Sequence, residues 1–148
     1  MYQHILIPTD GSELAGSAVK QGVSLAKSIG ASVTALVVET PFFVFDVPYW
    51  EMDDLRGAFA EQAEDVKQHA NKVLRAAAAI AKKSGVPCKT LHVVKDHPYE
   101  AIIATAKENH CDLIVMASHG RSGIAAVLLG SVTAKVLTHT KVPVLVCH

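Results

Sequence analysis

The stretch HILIPTD, residues 4–10, is apolar at consecutive positions rather than at alternate ones. A strand with this pattern is covered on both faces, which is typical of parallel sheets. Four further segments have strand character: Ser32–Glu39, Cys88–Val94, 112–117 and 142–147. The sequence therefore predicts a five-stranded sheet whose first strand is covered on both faces.

Helical patterns separate these strands. Apolar residues recur at spacings of three and four from Leu14 to a stop at Gly30, and again from Leu55 to Gly85. Gly57 is the point at which the second of these helices is expected to fray or bend.

A third helix is predicted to begin at Pro98 and a fourth near Ser131. Strict alternation of strands and helices is typical of an α/β fold with right-handed crossovers. We expect a doubly wound, five-stranded parallel sheet with helices on both faces, which is a Rossmann-like architecture. A chain of 148 residues is long enough for one such core, so residues 1–148 are expected to form a single domain.

The charge balance excludes several classes of partner. The chain has 14 basic and 14 acidic residues, so no overall field attracts nucleic acid or an anionic membrane. The N-terminal residues lack the pattern of a secretory signal, which leads us to expect a cytoplasmic protein. Cys88, Cys111 and Cys147 are far apart and without CxxC spacing, so they are expected to be reduced and buried.

Ligands of doubly wound sheets bind beyond the carboxyl ends of the strands, where the winding direction reverses. The loops there are PTDGS, which follows the first strand, and ASHGRSG, which follows the fourth. Gly130 and Ser131 then open a helix whose free N–H groups suit phosphate. Two alternatives remain: Ser131 is an ordinary helix cap, and Asp10 with Glu13 forms a capping arrangement for the first helix.

The segments ILIPTDGS, DLIVMASHGRSG, LLGSVTAKVL and VPVLV resemble the universal stress protein family, and the likeness covers essentially the whole chain. The nucleotide-binding branch of that family has a glycine, two residues, a glycine, nine residues, then a glycine and a small hydroxyl residue. Gly120, Gly130 and Ser131 fill this pattern, whereas Ala117 stands at the first glycine position.

The resemblance implies an adenine nucleotide alpha hydrolase-like fold that binds ATP. It places Asp10 near the ribose or near a Mg²⁺ or Mn²⁺ ion carried by the phosphates. The residues that it implies at the nucleotide are Pro8, Thr9, Asp10, Val38, Met116, Ala117, Gly120, Arg121, Gly130, Ser131 and Val132.

The function implied by the resemblance is an ATP-binding stress sensor or regulator with at most slow ATP hydrolysis. The alternative is a family member that has lost nucleotide and works as a dimeric interaction module, and Ala117 favours it. Because His119 has no carboxylate neighbour in sequence, we do not expect it to be a general base. Arg121 is either a contact to the terminal phosphate or a solvated surface residue. A side chain at Gly130 is expected to project into the space of the anion.

A metal site independent of nucleotide is not predicted. Cys88 and His92 share one face of a strand, but they are about 13 Å apart at about 3.3 Å per residue. Such a pair cannot share one zinc ion.

Two features point to contacts with other molecules. Residues 40–54 contain Phe42, Phe43, Phe45, Tyr49 and Trp50, which either pack on their own domain or form a lid or a patch for an unknown protein partner. The last strand, which begins at Val142 and ends at Cys147, is expected at the sheet edge. An unpaired apolar edge and the family resemblance both indicate a homodimer through this strand.

Overall fold

The computed structural model describes residues 1–41, 48–120 and 129–148. The strands are β1 (His4–Pro8), β2 (Ser32–Glu39), β3 (Cys88–Val94), β4 (Leu113–Ala117) and β5 (Val144–Cys147). The helices are α1 (Glu13–Ile29), α2 (Met52–Ser84), α3 (Pro98–Glu108) and α4 (Ser131–His139), with a 3₁₀ turn at Tyr49–Glu51. The expectations for Arg121, Phe42, Phe43 and Phe45 fall outside the described residues.

The five strands form one parallel sheet in the order β3-β2-β1-β4-β5. The chain therefore winds outward from β1 to β3, returns to the other side of β1, and winds outward again to β5. The predicted fold class is confirmed, and β5 lies at a sheet edge as expected. The winding reverses between β1 and β4, which is the place where such sheets hold ligands.

Helices cover both faces of this sheet. Ile5 and Ile7 pack in the cluster beneath α1 and α2, whereas Leu6 packs in the cluster beneath α3 and α4. All three side chains are fully buried. Successive side chains of a strand point to opposite faces, so burial on both sides explains why residues 4–10 are apolar at consecutive positions.

Left-handed glycines end the first two helices as predicted. Gly30 (φ 73°) follows α1, and Gly85 (φ 72°) follows α2. Of the two roles left open for Asp10, the capping role is wrong: the hydroxyl of Ser12 caps α1 by accepting from the N–H of Ala15 at 3.2 Å. Asp10 lies two residues too early in the chain to take that role.

The long helix α2 begins at Met52, three residues before the predicted Leu55, and is continuous through Gly57. Its first buried residue is Ala70. The second half of the helix packs on α1, β2 and β3, while residues 52–69 extend beyond the sheet. Within residues 1–41, 48–120 and 129–148, no helix combines the length and hydropathy that a membrane span requires.

Candidate functional site

A cavity of about 560 Å³ opens at the carboxyl ends of β1, β2 and β4. Its volume falls within the range of small-ligand sites in proteins. The residues that line it are Pro8, Thr9, Asp10, Ala15, Leu36, Val38, Glu39, Thr40, Pro98, Ile102, Met116, Ala117, His119, Gly120, Gly130, Ser131, Val132 and Thr133.

Every predicted site residue within the described part of the chain lines this cavity. They are Pro8, Thr9, Asp10, Val38, Met116, Ala117, Gly120, Gly130, Ser131 and Val132. Arg121 lies outside the described residues. These residues come from four separate segments of the sequence, and the order of the strands brings them together.

The loop after β1 is held by a short series of hydrogen bonds. The N–H of Thr9 donates to the carbonyl of Leu36 at 2.8 Å, which extends the contact between β1 and β2 past the end of the strand. The Oδ1 atom of Asp10 accepts from the N–H of Ser12 at 3.0 Å. Gly11 between them has a φ of 80°, a conformation that glycine adopts without strain. Asp10 is thereby held at the rim of the cavity.

The start of α4 is fastened to the end of β4. The buried hydroxyl of Thr133 donates to the carbonyl of Ala117 at 2.9 Å. The N–H of Gly130 donates to the carbonyl of Ser118 at 2.6 Å. Because Ser118 in turn donates its N–H to the carbonyl of Cys147 at 2.8 Å, the helix start, β4 and β5 form one connected unit.

The N-terminus of α4 lies at the cavity, and among the described residues no side chain is seen to cap it. The N-cap residue is Gly130, with φ −69° and ψ 156°, and no cap hydrogen bond from a side chain is present. The alternative in which Ser131 is an ordinary helix cap is therefore wrong: Ser131 is the first helical residue. The first N–H groups of a helix have no intrahelical acceptor, and they carry a partial positive charge. This end of α4 is suited to an anion.

The two glycines of the loop are needed for different reasons. A Cβ atom on Gly120 would overlap Oδ2 of Asp10. A Cβ atom on Gly130 would lie 3.0 Å from Cα of His119 and 3.1 Å from the carbonyl oxygen of Ser118. A side chain at residue 130 therefore meets the protein's own backbone. The expectation that it would project into the space of an anion is wrong in this respect.

Ala117 is the last residue of β4, and it is 8% exposed. Among the described residues, His110 is the only non-glycine residue with positive φ, so the backbone of Ala117 does not need glycine. Its methyl group belongs to the cluster beneath α1 and α2. Met116, one residue earlier, belongs to the opposite cluster and forms part of an apolar cavity wall with Val38 and Ile102.

The charges around the cavity are carboxylates. Asp10 and Glu39 line it, and neither lysine nor arginine is among the described lining residues. His119 also lines the cavity, and its Nδ1 lies 3.1 Å from the hydroxyl oxygen of Ser118, which is itself buried. Across the described ranges, no three His, Cys, Asp or Glu side chains converge as a metal-binding group.

Several lining residues escaped the sequence reasoning. Glu39 is the last residue of β2 and Thr40 follows it. Pro98 and Ile102 lie in the first turns of α3, and Thr133 lies in α4. Position beyond the carboxyl end of a parallel strand, which pointed to Asp10, could also have pointed to them. Each lies near a carboxyl end of a strand or at the start of the following helix, once the strand order is known.

Comparisons with known proteins support the same architecture. The sequence model of the universal stress protein family matches residues 1–148. A universal stress protein of Methanocaldococcus jannaschii is 32% identical over 146 residues, which is 99% of this chain and 82% of that protein.

Solved structures match over the same length. The universal stress protein UspA from Lactobacillus plantarum has a TM-score of 0.83 at 28% identity, covering 99% of this chain and 98% of its own. A universal stress protein solved in complex with cAMP has a TM-score of 0.71 at 28% identity, covering 99% of this chain and 97% of its own.

Proposed function

The chain belongs to the universal stress protein family, and on that premise we propose that its cavity binds an adenine nucleotide. The observation that supports the proposal is the N-terminus of α4 at the cavity, with glycine rather than a capping side chain at its N-cap, where the winding of the sheet reverses. The phosphates lie at Gly130, Ser131 and Val132. The base lies against the apolar wall of Val38 and Met116.

The proposed ligand is ATP with Mg²⁺ or Mn²⁺. Asp10 and Glu39 bring carboxylate oxygens to the cavity, and a divalent cation accepts both carboxylate and phosphate oxygens as ligands. Carboxylate oxygen is a ligand type that both ions accept, so the residues present fit a metal that arrives with nucleotide. Asp10, held at the cavity rim, is the residue placed to contact it.

The proposed role is a nucleotide-dependent stress sensor or regulator in the cytoplasm, working as one domain of residues 1–148. A fast hydrolase needs an accessible nucleophile and base. The hydroxyl of Ser118, which pairs with His119, is 1% exposed and does not line the cavity. Slow hydrolysis through Asp10 remains part of the proposal, and it predicts that Asp10→Asn lowers magnesium-dependent turnover while leaving the fold intact.

Calorimetric titration of nucleotide-stripped protein tests the binding proposal. We expect saturable binding of ATP with Mg²⁺ at micromolar concentrations, weaker binding of ATP without the ion, and weaker binding of GTP. AMP and cAMP belong in the same series, because a similar structure was solved with cAMP. Absence of binding by folded protein would contradict the proposal.

Ala117 favours a second candidate function, a dimeric interaction module without nucleotide. In this alternative the departure from the glycine pattern marks the loss of the ligand. The titration separates the two candidates, because the second predicts a folded protein that binds none of these nucleotides.

The proposed assembly is a homodimer through β5. This strand lies at the sheet edge, and Leu145 within it is 44% exposed. Pairing of two such edges would cover both apolar strands. Light scattering after size exclusion should give a dimer for the unmodified chain and a monomer for Leu145→Lys. The matched control is Leu137→Lys on α4, because Leu137 is 41% exposed; it should stay dimeric.

A further inference from the structure

The first half of α2 and the turn before it form a mostly exposed surface. We call residues 49–69 the overhang. None of its residues is buried, although its helical part, residues 52–69, is about 27 Å long at about 1.5 Å per residue. Trp50 is 79% exposed and Tyr49 is 87% exposed. The alternative in which the aromatic residues pack on their own domain therefore does not hold for these two.

An apolar stripe runs along the overhang. Met52, Leu55, Phe59, Ala63 and Val66 recur at spacings of three and four, which places them on one side of the helix. The same spacing leads to Ala70, where the stripe enters the core between α2 and the sheet. The stripe on the overhang is therefore the continuation of the helix face that, from Ala70 onward, packs in the core. Met52 on this stripe is 47% exposed, whereas Leu55, Phe59 and Val66 are half-buried. Surface faces that carry exposed apolar residues are typical of interaction sites.

The overhang carries an excess of negative charge. It contains six carboxylates (Glu51, Asp53, Asp54, Glu61, Glu64 and Asp65) against Arg56 and Lys67, while the whole chain has equal numbers of both signs. Within the described part of the chain, Arg56 and Asp53 form the only ion pair, at 3.4 Å, and both side chains are more than 80% exposed. All six carboxylates belong to exposed residues, so a partner can reach them.

This charge decides among the possible occupants. Nucleic acid and anionic membranes are repelled by it. A second copy of the chain in a symmetric dimer would place the same acidic surface against itself. A protein segment with Lys or Arg on one side and apolar anchors on the other is attracted both by the carboxylates and by the exposed rings.

We propose that the overhang docks a cationic, amphipathic protein segment, with Trp50 and Tyr49 as apolar contacts and the carboxylates of α2 as its charged contacts. The complementarity predicts that binding weakens as salt rises. This surface is separate from the nucleotide cavity, since none of its residues lines that cavity. The inference therefore stands independently of nucleotide binding.

Trp50 is the only tryptophan of the chain, so its fluorescence reports directly on the overhang. The probe is a synthetic amphipathic helix of Lys and Leu, as long as the helical part of the overhang. We expect a saturable blue shift of Trp50 emission with one peptide bound per chain, reduced at high salt. The same peptide with Glu in place of Lys should leave the emission unchanged.

Variants locate the binding when a labelled peptide is followed by anisotropy. Trp50→Ala should weaken binding about tenfold, as loss of a central aromatic anchor does. Glu61→Lys should weaken it about threefold. Two controls on other surfaces, Leu137→Ala and Glu108→Lys, make matched changes at exposed positions and should leave the affinity unchanged.

Several results would overturn the inference. One is the absence of binding by the cationic peptide. Another is an equal loss of peptide affinity in the overhang variants and in the two control variants. A blue shift produced by anionic vesicles would instead identify a membrane surface. A blue shift that appears on raising the protein concentration alone would identify a second copy as the occupant.

Discussion

Oδ2 of Asp10 occupies the space that a side chain on Gly120 would fill, although the two residues follow different strands at opposite ends of the sequence. The other oxygen of the same carboxylate accepts from the N–H of Ser12. The carboxylate thus joins the loop after β1 to the loop after β4. Gly120 is required here by lack of space, and a change at either residue is transmitted to the other.

Gly120→Ala should displace the Asp10 carboxylate and break its bond to Ser12. If Asp10 steadies the metal carried by the phosphates, affinity for ATP with Mg²⁺ falls about tenfold, or about 1.4 kcal/mol. Calorimetry measures this, with Gly16→Ala as the matched control because a Cβ atom there meets nothing within 4 Å. Equal affinities for both variants and the unmodified chain would remove Asp10 from the proposed site.

Gly130→Ala should destabilise the protein by about 1–2 kcal/mol, because its Cβ atom presses on backbone that cannot easily move. Since the whole start of α4 shifts, ATP and adenosine should lose affinity together. Urea unfolding and titration with both ligands measure these effects. A loss confined to ATP would show instead that residue 130 faces the phosphates.

In contrast, Gly57→Ala, in open space on α2, should stabilise the protein by about 0.5–1 kcal/mol in the same urea unfolding experiment.

Ala117→Gly restores the glycine pattern and tests the alternative function. The methyl group packs in the core, and glycine adds flexibility to the unfolded chain, so stability should fall by about 0.5–1 kcal/mol. Because the backbone of Ala117 does not adopt positive φ, nucleotide affinity should change less than about threefold. A protein that binds ATP only after this substitution would establish that Ala117 abolishes the site.

Asp112 controls a pH-dependent part of the stability. Partial burial acts to raise its pKa, but the backbone N–H groups of His4 and Gln3, which donate to it at 2.8–3.1 Å, hold the pKa below the ordinary 3.8. The ionised form is thus favoured in the folded state. Its contribution is complete above pH 3.8 and is lost as the pH falls through the lower folded pKa.

Asp112→Asn should therefore lower the free energy of unfolding at pH 7 by about 1 kcal/mol, a value reduced for solvent screening. The difference from the unmodified chain should shrink in acid, as that chain loses the same contribution. Urea unfolding at both pH values measures it, and Asp65→Asn on the exposed part of α2 is the control. A difference independent of pH would mean that the ionised state of Asp112 is unimportant.

The sequence predicted the elements well where one physical signal dominates. β2 and β3 have the predicted bounds, because both are rich in β-branched and apolar residues and are followed by turn residues. α1 and α2 end at Gly30 and Gly85, because glycine alone enters the left-handed region without strain. β1 ends at Pro8, two residues early, since Thr9 and Asp10 already belong to the loop.

The failures concern choices between chemically similar neighbours. Asp10 and Ser12 are both good cap residues, and only the turn at Gly11 decides that Ser12 is the cap. The direction of the missing side chain at Gly130 depends on how the loop meets α4, which no residue pattern reveals. Glu39 and Pro98 line the cavity because of the order of the strands in the sheet. Their place in the site can therefore be recognised only once that order is known.

The pairing of β1 with β4 has a consequence for synthesis of the chain. The cavity joins residues 8–10 to residues 130–133, so its first and last contributors are separated by most of the sequence. A chain emerging from the ribosome can form α1, β2, α2 and β3 beside β1 long before α4 appears. The cavity is therefore completed only after residues 130–133 have been synthesised, and a ligand that needs both ends of the cavity could not bind before that point.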